Sequence, residues 1–135
     1  MIKNYFYLIV GILSVLSAVT HTWNGLETAL PVLDSAEIGG GTRTVFTYVW
    51  HVIGVESLVL GAALIVMAFI KNRDNVRFTA FVIIAILIMR WLVISIFTIM
   101  GSESSIIDIL PDTITILVVV VLLFLGTRIK NKNNK

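Results

Sequence analysis

The sequence contains no cysteine, so disulfides, thiolate metal sites and cysteine nucleophiles are all excluded. Charge is nearly as scarce. Charged residues make up 13% of the chain, against roughly 25% in an ordinary soluble domain. A chain this poor in charge cannot cover a water-facing surface, and its mean hydropathy of +1.00 points the same way. There are two prolines and two histidines, so backbone breaks are few and imidazole chemistry rests on His21 and His51 alone. Also missing are a glycine-rich phosphate loop after a strand, a nucleophile motif and a paired-histidine helix. No catalytic machinery is therefore legible.

What is present is apolar. Hydrophobic residues are 58% of the 135, few enough residues for one domain. The first long run extends from about Tyr5 to Thr22, just enough to cross a hydrocarbon core that takes about 20 residues. Lys3 ahead of this run imitates a signal peptide. Leu16 stands badly at minus three to a cut after Ala18, and an uncleaved span is expected. Further spans run from Thr44 to Ile70, from Phe78 to Met100, and from about Pro111 to Ile129. Pro111 suits either a first helical turn or a kink. The connection from Gly25 to Arg43 is long and polar, with a short interfacial helix expected near Pro31. A second connection occupies 101–110.

Charge asymmetry predicts orientation. Lys3, Lys71, Arg73, Arg77, Arg128, Lys130, Lys132 and Lys135, eight of the ten basic residues, fall on one side. Six of the eight acids (Glu27, Asp34, Glu37, Glu103, Asp108 and Asp112) fall on the other. The positive-inside rule then places both termini in the cytoplasm. The expected fold is an all-α integral membrane protein, four transmembrane helices in one antiparallel bundle. The net charge of +2 and pI near 9.2 do not indicate a nucleic-acid binder, because the basic residues are split among segment ends. The bilayer is the expected surround, in a bacterial cytoplasmic membrane. In size and hydropathy outline the chain is similar to the DoxX-like group of small four-helix bacterial membrane proteins. No motif carries across residue by residue.

Small residues predict where helices meet, since lipid removes the usual hydrophobic drive between them. The second span carries Thr47, Gly54, Gly61 and Ala68 at sevenfold spacing, with Ser57 on the flank. Gly11, Ser14, Ser17, Ala18 and His21 make the facing stripe on the first span, or on a second copy of the chain. The fourth span, with its valine and leucine run, offers no such stripe and is expected to face lipid. Tyr5, Phe6 and Tyr7 should mark the inner interface, and Trp23, Tyr48 and Trp50 the outer one.

Ionisable groups inside the spans nominate the site. Glu56 and Arg90 come out at similar depths when counted from the cytoplasmic side. Each alone in hydrocarbon costs at least about 2.5 kcal/mol, so they are expected to pair. His21 and His51 lie toward the outer end, where Asp108 or Asp112 could approach. Two imidazoles with carboxylates suit a transition metal, and two imidazoles alone suit a haem. His51 and Glu56 are five residues apart and point about 140° away from each other, so they are not a dyad. Three functions follow. The first is a polar site of Glu56, Arg90, His51 and His21 that binds or conducts a proton, ion or small molecule, within a homo-oligomer. The second is an accessory or assembly subunit for a larger membrane partner. The third is a haem- or metal-binding redox protein using His21 and His51.

Overall fold

Asn4 starts the first helix with the oxygen of its side-chain amide. Its Oδ1 accepts from the backbone N–H of Phe6 and Tyr7 at 3.1 and 3.3 Å, the cap that an asparagine supplies to otherwise orphaned helix donors. From there the computed structural model, which describes residues 1–101 and 106–129, is helical in every regular element. Helix α1 covers Tyr5–Asn24, one π-helical turn covers Gly25–Ala29, and α2 covers Leu30–Ser35. Helix α3 is Gly40–Met67, α4 is Arg73–Met100 and α5 is Ile106–Arg128. Glu103, Lys130, Lys132, Lys135 and the side chain of Asp108 lie outside the described residues.

Four of these stretches, Tyr5–Ser35, Gly40–Met67, Asp74–Met100 and Ile109–Arg128, are long and apolar enough to cross a membrane. Within their apolar windows only 11% to 22% is buried inside the chain. A water-soluble fold would have hidden that surface. The helical backbone satisfies its own N–H and C=O groups, as a lipid surround requires. The chain is a membrane protein by this measure.

Several boundaries differ from those expected of the sequence, each for a local reason. The stretch 25–43 is not a long polar connection. Helix continues to Ser35, and Pro31 sits in the first turn of α2, where its missing N–H and fixed φ do least harm. The π turn just before it, in which Leu30 N–H reaches Gly25 O, widens the helix where a proline ring would clash with the preceding turn. Gly40 and Gly41 open α3 instead of forming a loop. Arg43 closes the short link. Its Nη2 donates to the carbonyls of Asp34 and Ala36 at 3.2 and 3.4 Å, and its Nε lies 3.6 Å from Asp34 Oδ1. Helix α4 begins five residues before Phe78, because Asn72 accepts from Asp74 N–H and Asp74 suits the positive end of the helix dipole. Helix α5 begins at Ile106 and contains Pro111.

The chain divides into two units, Gly11–Ile65 and Met1–Val10 with Val66–Lys135. In the first, α1 and α3 meet with almost nothing between their backbones. A Cβ on Gly11 would stand 2.8 Å from Gly61 O, and one on Gly61 would stand 2.9 Å from Gly11 O and 3.0 Å from Ser14 Cβ. Farther along, a Cβ on Gly54 would come to 2.9 Å from Thr22 Oγ1 and 3.8 Å from Ala18 O. Contacts that advance along α1 retreat along α3, so within this unit the two helices run in opposite directions.

In the second unit the hub is again Asn4, which is 5% exposed. Its Nδ2 donates to Gly126 O at 2.9 Å, and the N–H groups of Lys3 and Asn4 donate to Ala68 O at 2.8 and 3.1 Å. The start of α1, the residue after α3 and the end of α5 are thereby held together. The buried Tyr7 ring occupies the room a side chain at position 126 would need, 2.5 Å from the place of its Cβ. Helices α4 and α5 pack on one another, with Trp91 Nε1 donating to Thr113 Oγ1 at 3.0 Å. The apolar run of α5 is mostly uncovered by the rest of the chain, with 11% of its window buried, as its lack of a small-residue stripe led one to expect, and its contacts concentrate toward its end. Leu123, Gly126 and Thr127 are buried, and Gly126 is the contact that the valine run concealed.

Replacing Asn4 should show how much this hub carries. Asn4→Ala removes a helix cap, about 1 kcal/mol, and leaves Gly126 O unpaired in a buried place, a further 1–3 kcal/mol or so. Asn4→Ser keeps a cap but is too short to reach Gly126, so it should lose less than the alanine variant. Unfolding in detergent, followed by far-UV circular dichroism, measures both. An alanine variant within about 0.5 kcal/mol of the parent would sink this account.

Candidate functional site

Helix α3 carries Trp50, His51 and Glu56, and their angular order decides what they can touch. At 100° per residue, Trp50 lies about 40° round from Gly54, on the face turned to α1. His51 lies about 60° to the other side of Gly54, on the flank of that face. Glu56 lies about 160° away. It stands on the far side of α3 from the glycine contact. Both His51 and Glu56 are half-buried. The ionisable residues of α3 therefore belong to two different places.

The first place is the end of the α1–α3 contact that holds His21 and Trp50. The His21 and Trp50 rings stack, with centroids 4.5 Å apart and planes 9° from parallel. Trp50 Nε1 donates to His21 O at 3.1 Å, and His21 Nε2 lies 3.2 Å from Trp50 O. A carbonyl only accepts, so Nε2 of His21 carries a hydrogen here and Nδ1 is the nitrogen left over. Each residue thus bonds the backbone of the other. The indole also lies over Gly25, where a side chain would collide with its Nε1 and Cδ1. Trp50 is consequently a half-buried wedge in this seam. Trp23 and Tyr48 are the outward residues, at 67% and 54% exposed. The polar partner of His21 is Trp50 and not His51.

The second place is the interior of α3 around Glu56, about eleven residues short of Met67. Arg90 occupies an interior position of α4 and is half-buried. It belongs to the other unit of the chain. Asp112 is exposed beside Pro111 in α5. Next to Arg90, Trp91 spends its indole N–H on Thr113, whose hydroxyl passes on to Ile109 O at 2.9 Å. One turn along, the Ser95 hydroxyl is buried without a hydrogen-bond partner.

The remaining small residues sort with the helices that carry them. Gly11, Ser14, Ala18, Gly54 and Gly61 line the α1–α3 contact, Ser57 is half-buried on α3, and Ala68 lends its carbonyl to the Asn4 hub. Asn4, Gly25 and Gly126 were not singled out by the sequence. An asparagine just ahead of an apolar run is a readable cap signal. Nothing local identifies the two glycines, whose importance lies in rings brought from elsewhere. Among the described residues, no three His, Cys, Asp or Glu side chains gather as a metal set would require. For a haem or metal, His21 would have to give up its Nε2 bond or bind through Nδ1.

The His21–Trp50 contact makes a direct energetic prediction. A stacked aromatic pair contributes about 0.5–1.5 kcal/mol beyond burial. A double-mutant cycle of His21→Ala and Trp50→Ala, measured by unfolding in detergent, should therefore show coupling of about 1 kcal/mol or more. Additive losses would mean that the two rings do not rely on each other.

Comparison with protein-family models, with curated proteins and with solved structures yields no match. The function has to be read from these residues.

Proposed function

We propose that this chain is a small multi-pass membrane protein with a polar site, centred on Glu56, that binds or passes a proton, an ion or a small molecule. In this reading the four spans form an antiparallel bundle with both termini in the cytoplasm, on the side of Lys3, Lys71, Arg77 and Arg128. Arg90 is the counter-ion of Glu56, the pairing anticipated from their interior positions.

One observation carries the reading. Glu56 lies roughly 16 Å from the nearer end of α3, too deep for a glutamate side chain to reach headgroup water. A carboxylate there costs free energy that a helix keeps only when protein or water meets it. It is not needed for the seam with α1, which lies on the opposite face and is made of glycine and serine. That seam is closed by direct backbone contact. A path for a proton or ion thus follows the Glu56 side of α3 and not the α1–α3 contact. The same contact uses the glycine stripe within the chain, so a homo-oligomer would form through another face.

Flux into proteoliposomes tests the proposal. Proton uptake under an imposed pH gradient, and sodium or potassium uptake, should be measurable for the parent and fall at least tenfold in Glu56→Gln. Glutamine keeps the shape and loses the charge. Undiminished flux in a folded Glu56→Gln variant would end the site assignment. No flux of any of these, together with one larger membrane protein retained in mild detergent, would move the chain to the accessory-subunit reading.

A further inference from the structure

We propose that the end of the second unit around Lys71, Arg77 and Arg128 is a binding site for the headgroup of an anionic phospholipid. Hydrogen bonds gather its parts. Lys3 N–H and Asn4 N–H hold Ala68 O, and Asn4 Nδ2 holds Gly126 O. Lys71 follows Ala68 by three residues and Arg128 follows Gly126 by two, so each lies within about 11 Å of chain from the junction. Helices α4 and α5 pack together across a short connection, with Trp91 opposite Thr113. Carrying that register along both helices brings Arg77 beside the Arg128 end. Lys71, Arg77 and Arg128 are exposed, and Asp74 is the one acid in the stretch from 66 to 78.

The surroundings choose the kind of anion. Phe69 and Phe78, two residues from Lys71 and one from Arg77 in the chain, are exposed, as is Tyr5 next to the Asn4 junction, and Arg128 Cζ lies 4.6 Å above the Phe124 ring. A surface for a soluble phosphate or an acidic peptide has no use for exposed aromatic rings next to each cation. A phospholipid has a use for both, since its phosphate meets the cations while its acyl chains meet the rings and the apolar helices beneath. A phosphatidylglycerol-like lipid supplies the negative headgroup that a zwitterionic lipid lacks.

The test uses the full chain in mild detergent, titrated with phosphatidylglycerol, phosphatidylcholine or inorganic phosphate, and read by native mass spectrometry and thermal unfolding. Phosphatidylglycerol should be retained and should raise the unfolding midpoint, whereas phosphatidylcholine should do neither. Inorganic phosphate in millimolar excess should not displace it. Combined Lys71→Gln, Arg77→Gln and Arg128→Gln should weaken retention about 100-fold, from a roughly fivefold contribution per basic residue. Exchange of the same three for the other basic residue should preserve it. If the triple variant does not fold, Arg77→Gln alone should show the fivefold step. Equal binding of the two lipids, displacement by phosphate, or unchanged retention in the glutamine variants would overturn the proposal.

Discussion

Every backbone and hydroxyl dipole of this chain has to find its partner inside the chain, because four of its helices present surfaces that only an apolar surround can meet. The structure answers this locally almost everywhere. Thr20, Thr44, Thr47, Thr79, Thr113 and Thr115 each turn the hydroxyl back onto the carbonyl one helical turn earlier. In water that back-bonding competes with solvent and slightly weakens a helix. Here it removes a polar group from lipid at no extra length. Helix ends receive the same treatment from Asn4, Arg43 and Asn72. The buried Ser95 hydroxyl is one that this local solution leaves out.

Once dipoles are satisfied within each helix, attraction between helices has to come from close approach. Lipid tails are as apolar as leucine, so burying leucine against leucine gains little. Two devices take its place. One is backbone against backbone, at Gly11 and Gly61. The other is an aromatic ring laid on a glycine, at Trp50 over Gly25 and Tyr7 against Gly126. In both ring contacts the aromatic residue also joins a hydrogen-bonded cluster, Trp50 through its own indole and Tyr7 through the cap supplied by Asn4. Dispersion over a ring face is individually weak and collectively large. The directional bond fixes which glycine the ring meets.

The number and nature of the helices could be read from the sequence because composition alone decides them. An apolar run near twenty residues long has no other comfortable state. The angular split between His51 and Glu56 was legible too, since it needs only the helical period. Boundaries were not. Pro31 and the three glycines after it look like loop chemistry, but Pro31 suits a first turn and a cap-free start suits Gly40. The partner of His21 was beyond local reasoning, because Trp50 is 29 residues away and looked like a belt residue. Gly126 was hidden for a similar reason: a lone glycine at the end of a valine run acquires meaning only when Tyr7 arrives from the other end of the chain.

The division of labour on α3 bears on mechanism. A helix that uses one face for a contact tight enough to exclude a methyl group is fixed in register on that face. Sliding by one residue would drive side chains into Gly61 O and Gly11 O. Among the described residues the opposite face, which holds Glu56, has no such glycine contact. Protonation or ligand binding at Glu56 would then be accommodated by the elements on that side, while α1 and α3 stay as one rigid pair. The His21–Trp50 bonds extend the same rigidity to the far end of the pair. Under the proposed function, such a site would work by altering what surrounds a fixed carboxylate, not by moving the helix that carries it.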